Sequence, residues 1–413
     1  MQFRQTKLSP EGEEKKVRVL FRSSVPEIPS TTSATFAIYK YPAKFIPQVI
    51  AYVLKHYANP KMRVFDPFAG YGSVGVVARL YGNDYELWDL NPIINVLHDT
   101  AVSKPIEVNL YELISEVKRS SDEFFPKWSN LDYWFPEEFL SVLSKCWGYV
   151  HSLEGEKKYA LLVPLMKVTK FFSYADEKVH KLYKSKYSKK KVSELLRSNW
   201  KERFYEMLEE EVRVLLKKIS EYNRMKPKDV NYRIRSAVDT LETELEEGAD
   251  ILITSPPYLQ AQEYIRSTKL ELFWLGYKEE FIRELSKKEI PYRDVKSIDI
   301  QSPTFFEFRE RIKEEHLLKL YDRYFHAVLG AFEKLGEKIN ERMCIFVGQA
   351  KVRTMQIPID EIIVEHMQNF GWKHEITYID QIVSRVMFES DVNPASGIED
   401  HRMETEHLIV LKR

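Results

Sequence analysis

Residues 63–89 constrain the fold of this chain more than any other segment, because two short apolar runs there each end in an acidic residue. The first run ends in Asp66-Pro67-Phe68-Ala69-Gly70-Tyr71-Gly72-Ser73, and a helical pattern follows over residues 74–81. The second run ends at Asp89 and leads towards another helix. Strand, glycine-rich turn, helix, strand and acidic residue, in this order, predict the first half of a doubly wound α/β sheet.

The rest of the chain divides into segments of different character. Residues 1–35 are polar and interrupted by prolines, which predicts a loosely ordered N-terminal arm with one strand at residues 17–21. After the cofactor-binding half at 36–104, residues 105–228 predict a helical insertion without a strand, with helices at 110–125, 137–154, 157–172 and 191–222. Strands resume in the second, catalytic half of the core, residues 229–413, at 232–234, 251–254, 343–347, 375–378 and 407–411.

Composition limits the function classes. The 413 residues contain 62 Lys and Arg against 62 Asp and Glu, a formal charge of zero, which excludes a generally basic nucleic-acid coat protein but not a local basic patch. No stretch approaches the ~18 apolar residues of a membrane span, and the start does not resemble a signal peptide, so a cytoplasmic protein is expected. Cys146 and Cys344 cannot form a disulfide framework or a four-cysteine zinc site, and no metal is expected.

The glycine-rich turn indicates a cofactor without identifying it. Gly70, Gly72 and Gly75 fit the Gly-x-Gly-x-x-Gly spacing of a dinucleotide site, and an ordinary tight turn would also explain them. Asp66, directly before the turn, is badly placed for a pyrophosphate and well placed for the cationic methionine part of S-adenosylmethionine. Asp89 could accept hydrogen bonds from ribose hydroxyls with either cofactor.

A second motif, Ser255-Pro256-Pro257-Tyr258, follows the apolar run at residues 251–254. Proline stiffens the backbone and donates no hydrogen bond, so Pro256 offers a carbonyl acceptor of fixed direction, and Ser255 adds a hydroxyl. Tyr258 offers a flat face for a base, a contact worth roughly 1–3 kcal/mol. Such a cluster could hold an exocyclic amino group by its two hydrogens and direct the nitrogen at a methyl donor.

The two motifs together resemble those of the amino-methyltransferases of nucleic acids, specifically the cytosine-N4 branch. In that family Ser-Pro-Pro-Tyr accompanies cytosine N4, whereas Asp-Pro-Pro-Tyr is typical of adenine N6. Residues 39–47 resemble the segment before the cofactor strand, and 236–239 resemble the element whose Asp contacts the cofactor adenine. The resemblance covers about 36–104 and 229–413 and leaves the insertion unassigned.

The resemblance implies a Rossmann-like methyltransferase sheet, S-adenosylmethionine as cofactor and direct methyl transfer to the amine. The implied cofactor-binding residues are Tyr41, Pro42, Lys44, Phe45, Asp66, Pro67, Phe68, Ala69, Gly70, Gly72, Ser73, Asp89, Leu90, Asn91 and Asp239. The implied catalytic residues are Ser255, Pro256, Pro257 and Tyr258. Methylation at cytosine C5 would need a thiolate nucleophile, typically in a Pro-Cys pair, and neither cysteine fits, so both are expected in the core.

A protein that acts on nucleic acid must contact the phosphates of its substrate. Residues 178–203 hold ten Lys or Arg against two Glu, a net charge of +8 with aromatic residues between them, which predicts phosphate contacts; a solvated helical face is the alternative. The predicted contact residues are Lys184, Lys186, Lys190, Arg266 and Arg385, and the loop 391–402 is a further candidate. A neutral chain suits a cytidine in structured RNA, such as ribosomal RNA, slightly better than the scanning of long DNA.

Other functions remain open at this point. A site-specific DNA cytosine-N4 methyltransferase is the main alternative, with the insertion as its target reader. Adenine-N6 methylation is disfavoured by Ser255, and methylation of a protein glutamine amide is disfavoured because relatives of that type carry Asn before Pro-Pro-Tyr. A non-catalytic docking subunit would be expected to have degraded motifs, whereas both motifs here are intact.

Overall fold

The computed structural model describes residues 15–42, 44–179, 181–259, 263–382 and 405–413. Ten strands are found in them: β1 Lys16–Val19, β2 Arg63–Asp66, β3 Asp84–Asp89, β4 Tyr232–Ser236, β5 Ala249–Thr254, β6 Ile339–Gly348, β7 Ala350–Val352, β8 Met355–Ile357, β9 Lys373–Gln381 and β10 Thr405–Lys412. The helices of the first part are α1 Phe21–Ser24, α2 Pro47–Tyr57, α3 Ser73–Tyr81 and α4 Ile93–Ala101, with a 3-10 turn at Ala34–Ala37.

Twelve further helices lie in the rest of the described chain. Between β3 and β4, after α4, come α5 Leu110–Arg119, α6 Leu131–Trp134, α7 Glu137–Ser152, α8 Gly155–Phe171, α9 Lys186–Leu196 and α10 Trp200–Arg224. After β5 come α11 Tyr264–Ser267, α12 Lys269–Trp274, α13 Glu279–Lys287, α14 Pro303–Arg311, α15 Glu315–Gly336 and α16 Ile359–Gln368.

Eight of these strands form one sheet, in the order β1-β9-β10-β6-β5-β2-β3-β4. All neighbouring pairs run parallel except those of β10, which is antiparallel to both β6 and β9. β7 and β8 form a separate antiparallel hairpin. The predicted fold class, a doubly wound Rossmann-like methyltransferase sheet with a mainly helical insertion, is confirmed by this topology.

The strand order reverses between β2 and β5, which pair in parallel through Val64 and Ile251. From β2 the chain proceeds outward on one side through β3 and β4, and from β5 it proceeds outward on the other side through β6. In open α/β sheets a crevice forms at the carboxyl ends of the strands where the order reverses, and ligands bind there. Both sequence motifs follow directly on these two strands, so the topology brings them to the same crevice.

Both faces of the sheet are covered by helices. One hydrophobic cluster joins α2, α3 and α4 to the helices of the insertion, and the other places α15 and α16 on the opposite face. The insertion is held to the core by more than apolar contacts, because the hydroxyl of Tyr222 in α10 donates to the carbonyl of Val76 in α3 at 2.8 Å. Helices α5 to α10 therefore share a continuous interior with the sheet.

Three sequence expectations need correction. The predicted helix at 191–222 is two helices, because Ser198 folds its hydroxyl back onto the carbonyl of Leu195 at 2.7 Å and a new helix begins at Trp200. The helix predicted at 110–125 ends at Arg119, and the segment beyond it packs through the amide of Phe124 on the carbonyl of Ser144.

The third correction concerns the N-terminal arm. Its strand ends at Val19 and not at residue 21, and it pairs in parallel with β9 at the sheet edge. Residues 15–35 are not loosely ordered: Phe21, Val25 and Ile28 have no exposed surface, and Phe21 packs edge-on against neighbouring aromatic rings. These few buried apolar residues were not recognised from the sequence, because residues 1–35 are mostly polar. Among the described residues, none of the helices has the length and apolar character needed to cross a bilayer.

Candidate active site

The turn after β2 carries a fully buried carboxyl group. Asp66 is 1% exposed, and its Oδ1 accepts hydrogen bonds from the hydroxyl of Thr254 at 2.6 Å and from the amide of Phe68 at 3.1 Å. Burial raises the pKa of Asp66 to about 7, although both hydrogen bonds oppose the shift. Thr254 is the last residue of β5, so this bond connects the ends of the two strands that flank the switch point.

The glycines of this turn have separate structural roles. Gly70 and Gly72 adopt left-handed backbone angles, with φ of +52° and +85°, and allow the chain to turn sharply into α3. Gly75 lies inside α3, where an added Cβ would come within 2.6 Å of the Tyr85 ring. A Cβ on Gly70 would meet the Tyr41 ring at 3.1 Å, so this aromatic ring lies directly against the turn.

Asp89, at the end of β3, faces the same turn. Its two carboxylate oxygens accept the amides of Gly70 at 2.6 Å and Asn91 at 2.7 Å. Burial raises its pKa to about 6, against the effect of these two bonds. Each oxygen keeps a lone-pair position, so the group could accept further donors such as ribose hydroxyls.

Asp239 follows β4 and is held by cations from a later loop. Its carboxylate lies 2.6 Å from Nη1 of Arg293 and 3.9 Å from Nζ of Lys288. The amide of Leu241 also donates to it at 3.2 Å. The acidic end of β4 is thus neutralised within the crevice, where the apolar side chains of Val238 and Leu241 also lie.

The Ser-Pro-Pro-Tyr segment follows β5 as the sequence suggests. The hydroxyl of Tyr258 donates to Oε1 of Glu406 in β10 at 2.9 Å, which fixes the ring position. Burial, together with the nearby carboxylate of Glu406, raises the pKa of Tyr258 well above its ordinary value, so the hydroxyl stays protonated. The ring can therefore serve as a neutral platform.

These strand ends form one pocket. Of the residues singled out from the sequence, those that line it together are Tyr41, Phe68, Gly70, Asp89, Leu90, Asn91, Asp239, Ser255, Pro256, Pro257 and Tyr258. The glycine-rich turn and the Ser-Pro-Pro-Tyr segment thus share a cavity. Asp66 adjoins it through its bond to Thr254, the residue before Ser255.

Several of the proposed cofactor residues do not line this pocket: Pro42, Lys44, Phe45, Pro67, Ala69, Gly72 and Ser73. Lys44 instead donates to the carbonyls of Thr31 and Phe36, and burial lowers its pKa to about 8. Phe45 stacks on Phe346 of β6 with ring centroids 5.5 Å apart. In this structure both side chains tie the first segment to the core.

Three charged lining residues were missed by the sequence reasoning: Lys288, Glu289 and Arg293. Glu289 is 6% exposed, and its Oε1 accepts the amide of Ile265 at 2.9 Å. Burial raises the pKa of Glu289 to about 7. Residues 288–293 lie outside regular structure and carry no family motif; their only signal is a cluster of charged and aromatic residues around a proline.

Four of the five predicted nucleic-acid contacts lie in the described residues. Lys186 begins α9, and Lys190 is exposed on the same helix, 3.8 Å from Glu194. Lys184 lies over the rings of Tyr133 and Tyr174, at 4.3 and 3.6 Å from their centres. Arg266 lines a groove beside the pocket and pairs with Glu263 at 2.8 Å. Arg385 and the loop 391–402 lie outside the described residues.

Both cysteines are buried, as expected for core residues. Burial raises the pKa of Cys146 to about 12 and also raises that of Cys344, so neither supplies a thiolate near neutral pH. No group of three or more His, Cys, Asp or Glu side chains suited to a metal ion occurs in the described part of the chain.

Comparison with known proteins gives little sequence similarity. No protein-family model and no curated protein matches the chain. Two solved structures of the rRNA methyltransferase aviRa from Streptomyces viridochromogenes align with 94% of this chain and 92% of theirs. Their sequence identities are 8% and 9%, and their TM-scores are 0.32 and 0.31. The fold assignment accordingly rests on the strand order and directions described above.

Proposed function

We propose that the chain is an S-adenosylmethionine-dependent methyltransferase that places a methyl group on the exocyclic N4 amine of cytosine in nucleic acid. The observation that carries the proposal is the meeting of two motifs at the switch point. The turn after β2 and the Ser-Pro-Pro-Tyr segment after β5 line one pocket, and the 2.6 Å bond between Thr254 and Asp66 joins their strands. A cofactor site and an amine-binding site in contact are what direct group transfer requires.

The residues around the pocket fit a cationic cofactor that carries a ribose and a base. Three buried carboxyl groups, of Asp66, Asp89 and Glu289, have pKa values raised by burial, so a nearby positive charge would be stabilised by their ionisation. Asp89 has acceptor positions for ribose hydroxyls. Leu90, Val238 and Ile290 provide apolar surface for an adenine ring.

When bound, S-adenosylmethionine would supply an electrophilic methyl group, and the chain's own residues would hold the amine in line with it. The hydroxyl of Ser255 and the carbonyl of Pro256 accept the two hydrogens of cytosine N4 and leave its lone pair free. The ring of Tyr258 stacks on the base, held in place by its bond to Glu406. Orientation of this kind can contribute several kcal/mol of the barrier reduction.

The preferred polymer is RNA, in keeping with the neutral chain and with recognition of a shaped, unpaired cytidine. Site-specific DNA methylation is the alternative, because an extruded base in a duplex would present the same amine. The proposed reaction is the same for both polymers, so they are separated by the substrate and not by the pocket.

The test is methyl transfer by the purified protein to separate pools of ribosomal RNA and DNA, read as N4-methylated nucleosides by mass spectrometry. Ser255→Ala should reduce transfer at least tenfold while the affinity for S-adenosylmethionine stays within twofold. Ser115→Ala, a partly exposed serine on α5 that lines neither the pocket nor the groove beside it, is the matched control and should transfer as the unchanged protein does. Equal rates in Ser255→Ala and the control would remove the catalytic assignment.

A further inference from the structure

A groove adjoins the pocket on the side of the helical insertion. The insertion contributes Trp128, Tyr133 and Trp134 to its lining, and the catalytic half contributes Arg266 and Lys269. Glu289 lines both this groove and the pocket, so the two spaces are neighbours across one buried side chain. We call these six residues the aromatic groove. No sequence motif pointed to it, because its halves are more than 100 residues apart in the chain.

The aromatic rings of the groove are fixed from the interior. Phe273, which has no exposed surface, stacks on Trp128 with ring centroids 4.3 Å apart and planes at 10°. Trp134 continues this stack at 6.1 Å and 16°. Tyr133 stands edge-on to Trp134 and is 55% exposed. A rigid row of parallel rings therefore leads from the core to rings that solvent can reach.

Positive charge lies beside these rings. Arg266 and Lys269 line the groove, and Lys184 lies 4.3 Å from the ring centre of Tyr133. The two carboxyl groups of the lining are already engaged: Glu263 pairs with Arg266 at 2.8 Å, and Glu289 accepts the amide of Ile265. Flat apolar faces interleaved with cations are the combination that binds single-stranded nucleic acid.

We propose that the aromatic groove holds the unpaired nucleotides that flank the target cytosine. Their bases stack on Tyr133 and Trp134, and their phosphates contact Arg266 and Lys269. A target base drawn into the pocket leaves its neighbours unstacked, and ring faces beside the pocket replace the lost stacking. The inference rests on the proposed function. It adds a path for the substrate strand, with the target base in the pocket on one side of Glu289 and the flanking nucleotides in the groove on the other.

The test uses a fluorescein-labelled 12-nucleotide single-stranded RNA with one central cytosine, and its DNA counterpart, with binding followed by anisotropy. Tyr133→Ala should weaken binding about tenfold, equivalent to about 1.4 kcal/mol, because one stacking platform is lost. Tyr133→Phe keeps the ring and should bind within twofold of the unchanged protein. Tyr111→Ala removes another tyrosine of the insertion, 80% exposed and outside the groove, and should have no effect.

A second variant tests the phosphate contacts separately. Lys269→Ala should reduce the slope of log affinity against log salt by about 0.7, the value for one phosphate contact with a single strand. Calorimetry with S-adenosylmethionine on every variant establishes that the pocket is intact.

Two kinds of failure are distinguishable. If Tyr133→Ala binds the oligonucleotides as the unchanged protein does, or if Tyr133→Phe loses as much affinity as Tyr133→Ala, the groove assignment is wrong and the proposed function stands. If the unchanged protein binds neither oligonucleotide and transfers no methyl group to RNA or DNA, both the groove and the proposed function are wrong.

Discussion

Asp66 has a titratable side chain whose charge changes near neutral pH. Its ordinary pKa of 3.8 is raised to about 7 by burial, so the folded protein without cofactor holds a proton there that the unfolded chain has released. Between about pH 4 and pH 7 this group therefore makes the folded state less stable as pH rises. A bound cation reverses the preference, because it favours the carboxylate.

We therefore predict that the affinity for S-adenosylmethionine rises between pH 6 and pH 8 and levels off above. Asp66→Asn keeps the size of the side chain, removes the charge, and should weaken binding about tenfold at pH 8 with a shallower pH dependence. Calorimetry at three pH values measures the affinity and its pH dependence. Asp250→Asn is the control, because Asp250 lies at the amino end of β5, opposite the pocket. Equal affinity and equal slope in Asp66→Asn would contradict the role given to this carboxyl.

Tyr258 permits a second test at this scale, because its ring and its hydroxyl have separate contacts. Tyr258→Phe keeps the ring, loses the contacts of the hydroxyl with Glu406 and Ser255, and should retain most activity. Tyr258→Ala loses the stacking face and should transfer methyl groups about 5- to 150-fold more slowly, for roughly 1–3 kcal/mol of stacking. Single-turnover assays with the same RNA compare the two. Similar losses in both variants would assign the effect to the hydroxyl and not to the ring.

The sequence predicted residues of this site unevenly. Asp66, Asp89 and Ser255 were accessible because each follows a strand, and parallel strands bring their carboxyl ends to one edge. Glu289 and Arg293 were not, because they lie in an irregular segment whose position depends on how α13 and α14 pack. Lys44 and Phe45 are close to Tyr41 in sequence, yet Lys44 donates to a carbonyl of the N-terminal segment and Phe45 stacks on Phe346 of β6, contacts between distant segments that the sequence does not reveal.

At the scale of elements, the junction of α3 with the sheet can be tested at Gly75. An added Cβ there would lie 2.6 Å from the Tyr85 ring, 2.8 Å from His98 and 2.9 Å from Leu87, so α3 would have to move outward. We predict that Gly75→Ala lowers the free energy of unfolding by about 1–3 kcal/mol, despite the better helix propensity of alanine.

Gly330→Ala in α15 is the matched helical control. Its added Cβ would meet two methyl groups of one side chain, Ile298, at 3.3 and 3.9 Å, so a smaller loss of stability than that of Gly75→Ala is expected. Urea unfolding of both variants gives the comparison. A Gly75→Ala variant as stable as Gly330→Ala would show that α3 does not press closely on the sheet.

Most elements could be predicted from periodicity, and their ends could not. The helical pattern expected over residues 74–81 is found as α3, Ser73–Tyr81, which begins one residue earlier. The break between α9 and α10 was missed because apolar residues keep helical spacing across it, from Leu196 to Trp200. The three polar residues between them, 197–199, lie outside both helices. The hairpin of β7 and β8 was missed because each strand has only three residues.

At the scale of the whole molecule, the net charge of zero conceals a local excess of cations on α9. We predict that the double charge reversal Lys186→Glu with Lys190→Glu weakens RNA binding several-fold and lowers the slope of log affinity against log salt. Each phosphate contact that is lost reduces the number of counterions released on binding. The double variant Lys338→Glu with Lys412→Glu is the control. Both residues lie at the amino end of β6, on the side of the sheet opposite the pocket. Identical RNA binding by both double variants would show that other residues contact the RNA phosphates.

The reaction that we propose for this molecule is the methylation of cytosine N4 in nucleic acid. Its most direct test is mass spectrometry of nucleosides from a deletion strain and its parent, with ribosomal RNA and DNA digested separately. We expect that N4-methylated cytidine is lost from RNA in the deletion strain and returns with the unchanged gene but not with Ser255→Ala. Loss from DNA alone would keep the reaction and change the polymer. If the deletion strain and its parent have the same nucleoside profile in RNA and also in DNA, the proposed function is contradicted.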